Sequence, residues 1–467
     1  MNKKYYLRVE AVNLSNFIYD TKDLNTIRGG GLLLLDSIDK LKEEFNGKLE
    51  SIATGASSGL FELTAKDIND AKNIRSCIES YVNNDNELKH ATFVVDVLES
   101  GESNTDFKTD REKLIALNRW RQMQSPSVAV PSGYSKYNRP CQIDMVRPAT
   151  CETYKGDERL HISESVYNRR EYGKNKKQGF YKQFTGIELE YVNELDELTE
   201  TEDESKDNLN HKMAVIYIDG NSFGKIQSDA KTQKELMCWD KTIKNYRKDM
   251  LTELLNEIKD KEEWKNGVKI RLETLLWGGD EIMWVVPAWV GWWTLGFFYQ
   301  QSKDWKFQDR LLKHAGGIVF CHHNAPIHRI TDLARELADL AKEKCRNKSL
   351  FAYLRLESFD HIGTKGIRDY IKDTYGSKIG YEDFVLDGEK MFEISENIKK
   401  LKENEFSKSL LYKIVKAIVL NNDDDIKDLV KKFAKKDIKE VLDDLNCLLN
   451  GEYAKWIHIA EILDYIV

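Results

Sequence analysis

At 467 residues the chain has room for about three or four domains. Its hydrophobic content of 41%, with 10% aromatics and ten Trp, calls for large apolar cores and excludes a disordered chain. The 71 Lys and Arg against 78 Asp and Glu leave a net charge of −7, which excludes a generally basic protein that coats nucleic acid, though a local basic groove stays compatible. Seven Cys without a dense framework suit a reducing cytoplasm better than a disulfide scaffold. Met1 to Tyr6 run straight into a strand pattern without an apolar leader. The most apolar stretch, Ile282 to Tyr299, is broken by Pro287 and falls short of a spanning helix. A cytoplasmic protein with no membrane segment is expected.

Residues 1–100 alternate compactly. Tyr5 to Val12 reads as a strand, and Ile27 to Phe45 as a helix with Leu32, Leu35, Ile38 and Leu41 on one face. Leu49 to Thr54 and Leu60 to Leu63 form a hairpin about Gly55-Ala56-Ser57-Ser58-Gly59. Asp67 to Tyr81 is a helix and Ala91 to Leu98 a strand. The order is βαββαβ, a split βαβ unit of the ferredoxin-like kind.

Residues 101–212 read as an irregular insert. Pro126, Pro131, Pro140 and Pro148 punctuate it, and a basic aromatic run from Tyr167 to Phe184 follows, with Arg169, Arg170, Lys174, Lys176, Lys177 and Lys182. That run could hold phosphates or single-stranded RNA, or be a solvated loop. The acidic segment Glu194 to Asp207 reads as a flexible linker. Cys141, Cys151 and His161 lack zinc spacing, so zinc is not expected there.

Residues 213–360 repeat the βαββαβ order. Met213 to Ile218 is a strand, and a helix carries Leu236, Trp239, Ile243, Tyr246, Met250, Leu254 and Ile258 at intervals of three and four. Val268 to Leu276 and Ile282 to Val286 are strands about Gly278-Gly279-Asp280-Glu281. Trp289 to Tyr299 is a helix, Ala315 to Cys321 a strand, Thr331 to Cys345 a helix and Phe351 to Leu356 a closing strand. Residues 361–467 form a helical bundle. The fold class is thus α+β: two ferredoxin-like units, an irregular insert between them and a C-terminal helical bundle.

The two copies differ at the hairpin turn. Ser57 and Ser58 stand where the second copy has Asp280 and Glu281, and the first strand of the first copy has no counterpart of Asp219. In the sheet order of such a unit the first strand neighbours the hairpin, so Asp219 and Asp280 would lie side by side. Two carboxylates so placed repel unless a cation joins them. Mg²⁺ or Mn²⁺ fits, because it takes one or two carboxylates and fills its shell with water and phosphate oxygens, and a two-metal site with Glu281 is expected. Gly278 and Gly279 let a bulky ligand approach the backbone. The loop Gly220-Asn221-Ser222-Phe223-Gly224-Lys225 offers backbone N–H groups to a triphosphate, and Lys342 and Arg346, on a helix near the last strand, add cationic charge. The cluster Cys321-His322-His323 with His328 is read as one His lining the pocket rather than as structural zinc.

Ala-Val-Ile-Tyr-Ile-Asp-Gly-Asn-Ser-Phe-Gly-Lys-Ile (214–226), followed by Trp-Gly-Gly-Asp-Glu (277–281), resembles the palm domain of GGDEF-type nucleotide cyclases. The match is nearest to the large polymerase-like subunit of type III CRISPR complexes, in a standalone form without the His-Asp nuclease domain. The resemblance makes 1–100 a degenerate first palm, 101–212 the inter-palm insert with its acidic linker, 213–360 the catalytic palm and 361–467 the helical domain. It implies that Asp219, Asp280 and Glu281 are catalytic metal ligands, with the Gly220 carbonyl a further one, and that Lys342 contacts the triphosphate. It implies NTP or dNTP substrates joined into a short cyclic or linear signal for antiviral defence. An RNA or phage-derived activator and a downstream effector protein would be partners. The alternative is a nucleotide- or RNA-sensing subunit with little or no turnover.

Overall fold

The structure is a computed structural model that describes residues 4–100, 107–125, 135–357, 366–404, 406–433 and 436–466. Pro126 and Pro131 lie outside the described residues. The chain divides into one unit of Met1–Leu189, Ser222–Thr252 and Thr274–Glu281, and a second of Glu190–Asn221, Glu253–Glu273 and Ile282–Val467.

The first unit opens with β1 (Tyr5–Val12), the one-turn α1 (Ser15–Ile18), α2 (Leu24–Glu44), β2 (Leu49–Thr54), β3 (Ser58–Leu63), α3 (Ile68–Asn84) and β4 (Thr92–Glu99). The strands stand in the antiparallel order β2-β3-β1-β4, the arrangement of a split βαβ unit. Side-chain caps start both long helices. Asp23 accepts from the Thr26 N–H at 3.0 Å, and Asp67 from the N–H groups of Asn69 and Asp70 at 2.8 and 2.9 Å.

Residues 101–212 contain more regular structure than their sequence suggests. α4 (Phe107–Gln124) leads to the hairpin of β5 (Cys151–Lys155) and β6 (Glu158–Ile162), then to α5 (Glu164–Thr185). Cys141, Leu160, Ile162 and Val166 form a small core, and Asp144 closes the Cys141 turn by accepting from the N–H groups of Val146 and Arg147.

α5 is the basic run, and it is neither a loop nor a strip of open cations. Arg169 is 1% exposed, lies over the Phe17 ring and pairs with Asp20 at 2.8 Å. Arg170 and Lys177 are also buried, and Arg170 lies 3.3 Å from Asp23. Lys174, Lys176 and Lys182 pair with Glu171, Asp36 and Glu188. The helix crosses α2 with no side chain between: a β-carbon on Gly29 would lie 1.7 Å from the Arg169 carbonyl oxygen, and one on Gly173 2.2 Å from that of Asn25. The run braces the first unit from within. Arg169 and Arg170 are not available to RNA phosphates.

The second unit contains α6 (Leu195–Thr199) and β7 (Lys212–Gly220). Next in sequence, α7 (Phe223–Asp229), most of α8 (Gln233–Ile258) and β10 (Glu273–Gly278) from Thr274 on belong to the first unit, whereas the short hairpin β8 (Lys265–Asn266) and β9 (Lys269–Ile270) and the strand β11 (Glu281–Pro287) from Ile282 on belong to the second. One of the crossings from the first unit to the second falls between Glu281 and Ile282, at the start of β11. α9 (Ala288–Ser302), the hairpin β12 (Lys306–Phe307) and β13 (Arg310–Leu311), β14 (His314–His322), α10 (Ile327–Lys344), β15 (Leu350–Arg355) and β16 (Val385–Asp387) complete the sheet region. Its strand order β11-β7-β14-β15-β16 repeats the β3-β1-β4 pattern of the first copy and extends it. β7 runs antiparallel to β14, with Asp219 opposite Ala315 and Gly220 opposite His314.

Close packing fixes the layers over this sheet. α9 is apolar all round and buries Trp289, Trp292, Leu295 and Phe298, and a β-carbon on Gly291 would meet the Ala214 methyl at 2.3 Å. α10 lies against β14 so tightly that a β-carbon on Gly317 would lie 1.9 Å from the Ala334 carbonyl oxygen. Among the described residues the chain continues with the helices α11 (Gly366–Tyr375), α12 (Met391–Glu403), α13 (Lys408–Val419), α14 (Asp423–Val430), α15 (Lys436–Leu448) and α16 (Ala454–Ile462). Arg355 of β15 pairs with Glu461 of α16 at 2.8 Å.

Two expected elements differ locally. The acidic segment is not a bare linker but forms α6 and a 3-10 turn at Glu204–Leu209, burying Leu198 and Leu209. The strand expected over Val268 to Leu276 is interrupted between β9 and β10, where Arg271 turns inward to the carbonyls of Leu198 and Glu200 at 2.9 and 2.6 Å. No helix among the described residues is long and apolar enough to cross a membrane.

Candidate active site

Both hairpin turns of the repeat reach one cleft within the first unit. It holds about 630 Å³, a volume suited to a nucleotide-sized ligand, and its walls include Gly55 to Ser58, Asp240 and Arg247 of α8, and Trp277 to Glu281. Arg8, Lys42, Arg111 and Lys248 add positive charge around it. Gly279 takes φ +55°, a left-handed conformation that suits glycine and turns the chain sharply before Asp280. Gly278 stands against Ala56, whose methyl carbon would lie 1.8 Å from a β-carbon built on it. Asp280 and Glu281 are half-buried at this wall.

Arg247 holds the turn from α8. Its Nη1 donates to the Gly279 carbonyl at 2.8 Å, and its guanidinium lies over the Trp277 ring, 4.4 Å from the centroid. Phe180 and Phe184 of α5 meet the same ring edge-on. Burial pulls the Arg247 pKa down to about 10, against the opposing pull of Asp280 and Glu281, so the side chain stays cationic at neutral pH. Farther along the same face of α8, Asp240 accepts from the Thr54 N–H at 3.1 Å and pairs with Lys244 at 2.6 Å.

In the second unit Asp219 is the penultimate residue of β7 and accepts a hydrogen bond from the Lys342 ammonium on α10; both side chains are largely buried. Lys342 also lies 3.6 Å from Asp339. Gly220 continues the β7 ladder opposite His314. Asn221 is 5% exposed: its Nδ2 donates to the Lys348 carbonyl at 3.1 Å, while its buried Oδ1 has no hydrogen-bond partner among the described residues.

Other expected site residues take different places. Ser222, in the left-handed region at φ +62°, precedes α7, and Lys225 is exposed. The Phe223 ring is 2% exposed and packs edge-on against Trp239. Arg346 is not on the helix, because α10 ends at Lys344 and Arg346 falls in an exposed turn. His323 is held by Thr199 at 3.0 Å and Asp196 at 3.1 Å and packs against His211, which gives it a protein partner at each ring nitrogen. No group of three or more His, Cys, Asp or Glu side chains converges as a metal cage among the described residues.

Arg247, Ala56 and Asp240 are site features that sequence reasoning passed over. One signal was present: Arg247 sits at helical spacing between Ile243 and Met250 or Leu254, a cation within an apolar stripe.

No family model matches this sequence, and no curated protein matches it. Solved structures match in fold. Csm1 of T. onnurineus aligns with a TM-score of 0.56 at 13% identity, over 99% of this chain and 68% of that one. The fold is that of Csm1, the large subunit of type III CRISPR complexes. A Csm1–Csm4 cassette in complex with cA4 aligns at 0.53 with 13% identity, over 100% of this chain and 70% of that one. Another, in complex with AMPPNP, aligns at 0.54 with 12% identity, over 99% and 69%.

Proposed function

We propose that the chain is a metal-dependent nucleotidyltransferase that condenses nucleoside triphosphates into a short cyclic or linear oligonucleotide signal in antiviral defence. The observation that carries this reading is the Gly-Gly-Asp-Glu turn on the wall of a nucleotide-sized cleft. Its weight comes from the shared fold, since Csm1–Csm4 cassettes have been solved with one ATP, with pppApA and with cA4. In the reaction a 3′-hydroxyl oxygen bonds to the α-phosphorus of a second triphosphate and loses its proton to solvent. The bond from that phosphorus to the bridging oxygen breaks, and pyrophosphate leaves.

The donor set suits a hard divalent cation. Asp219, Asp280, Glu281 and the Gly220 carbonyl offer oxygen only, and the orphaned Asn221 Oδ1 is one more buried oxygen short of a partner. These residues would hold Mg²⁺ or Mn²⁺, which when bound lowers the pKa of the attacking hydroxyl and offsets charge on the leaving group. Lys342, an ammonium on Asp219, is the group to meet a triphosphate. In this reading Glu281 and the Gly278-Gly279 backbone line the cleft of the first unit as its substrate wall, and Ser222 and Lys225 contact phosphates from the loop before and within α7. An RNA or phage-derived activator, an effector that reads the product and a cytoplasmic setting complete the proposal.

A sensor with little turnover is the second reading, favoured by the turn of the first copy, which carries Ser57 and Ser58 in place of acids. Incubation with each NTP and dNTP plus Mg²⁺ or Mn²⁺, followed by mass spectrometry beside Asp280→Ala, separates the two. Oligonucleotide and pyrophosphate that vanish in the variant are expected. Absence of product under every condition, infected-cell lysate included, decides for the sensor.

A further inference from the structure

A turn built on Gly278 and Gly279 has little rigidity of its own, since neither residue has a side chain to pack and Gly279 holds φ +55°. The direction in which the next two carboxylates point must be set from outside the turn. Arg247 is placed to do it. It is 6% exposed, its Nη1 donates to the Gly279 carbonyl at 2.8 Å and its Nη2 approaches the Glu281 carbonyl at 3.5 Å. The two carbonyls flank Asp280, so one guanidinium brackets the acid through its neighbours' backbone. Stacking on Trp277 holds the guanidinium plane, and the same helix face is tied at Thr54 by Asp240.

We propose that Arg247 is a positioning residue of the nucleotidyl-transfer site, fixing the backbone on both sides of Asp280 and with it the aim of the Asp280 and Glu281 carboxylates. The inference rests on the nucleotidyltransferase reading for its catalytic meaning, but its structural content stands apart from turnover. Only a planar fork can span two carbonyls and stack on an indole at once; an ammonium is a compact point charge that reaches one partner at a time. Arg247 therefore acts through the turn and not on a phosphate.

The test compares Arg247→Met and Arg247→Lys with the wild type by amide hydrogen exchange over residues 274–284, by Mn²⁺ titration and by steady-state kinetics. Exchange in the turn is expected to rise roughly tenfold in Arg247→Met and less in Arg247→Lys, as an anchoring hydrogen bond is lost. Mn²⁺ affinity falls in the same order. For oligonucleotide synthesis kcat drops on the order of a hundredfold, as for a misplaced catalytic group, while KM for the triphosphate stays near the wild-type value. If Arg247→Met does not fold, Arg247→Lys carries the comparison alone. A rise in KM at constant kcat would make Arg247 a substrate-binding group and overturn the inference, as would unchanged exchange in the turn. If the wild type makes no product, the nucleotidyltransferase reading fails by itself. Exchange and Mn²⁺ affinity then still decide the role of Arg247: faster exchange confined to 274–284 upholds it, and a uniform change across the chain overturns it.

Discussion

Gly278 and Ala56 meet with no room between them: a β-carbon on Gly278 would lie 1.8 Å from the Ala56 methyl and 2.7 Å from its Cα. The turns of the two copies are therefore in contact within the first unit. Gly278→Ala forces one of them to move. Overpacking of this kind costs about 1–3 kcal/mol, so a lower melting temperature and weaker oligonucleotide synthesis are expected. Ala56→Gly in the same chain should restore only part of both, because the Cα and N of residue 56 still obstruct. Full recovery in the double variant, read by thermal unfolding, would show that the methyl alone sets the contact.

Arg169 supplies the second prediction. It is buried against Phe17 and Asp20, so Arg169→Met leaves Asp20 without that partner and breaks an internal pair. A loss of about 3–5 kcal/mol is expected, the usual result of removing one member of a buried ion pair. Any fall in RNA affinity should track unfolding rather than a smaller salt slope. RNA binding that weakens in a variant with wild-type melting behaviour would contradict the internal role.

The third concerns Lys342, whose ammonium faces Asp219. Lys342→Met leaves that carboxylate short of a cation and should lower the melting temperature. Mg²⁺ should then raise it by more in the variant than in the wild type, because an ion bound only by the folded state stabilises it by mass action. Equal Mg²⁺ responses in the two proteins would argue that Asp219 takes no divalent ion.

A fourth turns on pH. His458 is buried, accepts from the Tyr353 hydroxyl at Nδ1 (2.6 Å) and donates from Nε2 to the Asp383 carbonyl (2.9 Å), so its neutral form is fully satisfied. Burial lowers its pKa from 6.5 to about 4. The unfolded chain thus binds the extra proton first as pH falls. This contribution is fully present above pH 6.5 and is lost progressively between 6.5 and 4, by up to about 1.4 kcal/mol per pH unit. His90, also pulled down to about 4 by burial, adds a slope in the same window. His458→Gln should be less stable at pH 7 yet show a shallower decline toward pH 5, measured by denaturant unfolding at each pH.

Much of the fold was legible in the sequence, for reasons visible in particular residues. Apolar runs such as Ala214 to Ile218 mark central strands, and Asp23 and Asp67 mark helix starts through their capping chemistry. Both glycine-bearing turns stood out because each separates two apolar runs. α5 was misread because six cations mask a buried face in which Val166, Arg169, Tyr172, Gly173, Lys177, Phe180 and Tyr181 recur at helical spacing. Charge there serves internal pairing, which no composition rule distinguishes from solvated charge. At the site, the acids were legible as residue types, whereas the anchoring of their turn by Arg247 depends on a contact between residues 32 apart in sequence. The edge-on packing of Phe223 on Trp239 and the end of α10 at Lys344, two residues before Arg346, likewise depend on tertiary contacts and local backbone that spacing alone does not show.

The close seat of α10 on β14 at Gly317 has one more consequence. With no side chain between helix and strand, α10 has no layer on which to slide, and the root of Lys342 is as fixed as the sheet itself. Release of Asp219 is then a side-chain event: the four-carbon stem swings while the backbone stays in place. On the nucleotidyltransferase proposal, a divalent cation at Asp219 would displace the ammonium, and Lys342 would then turn toward an anionic ligand without any movement of α10.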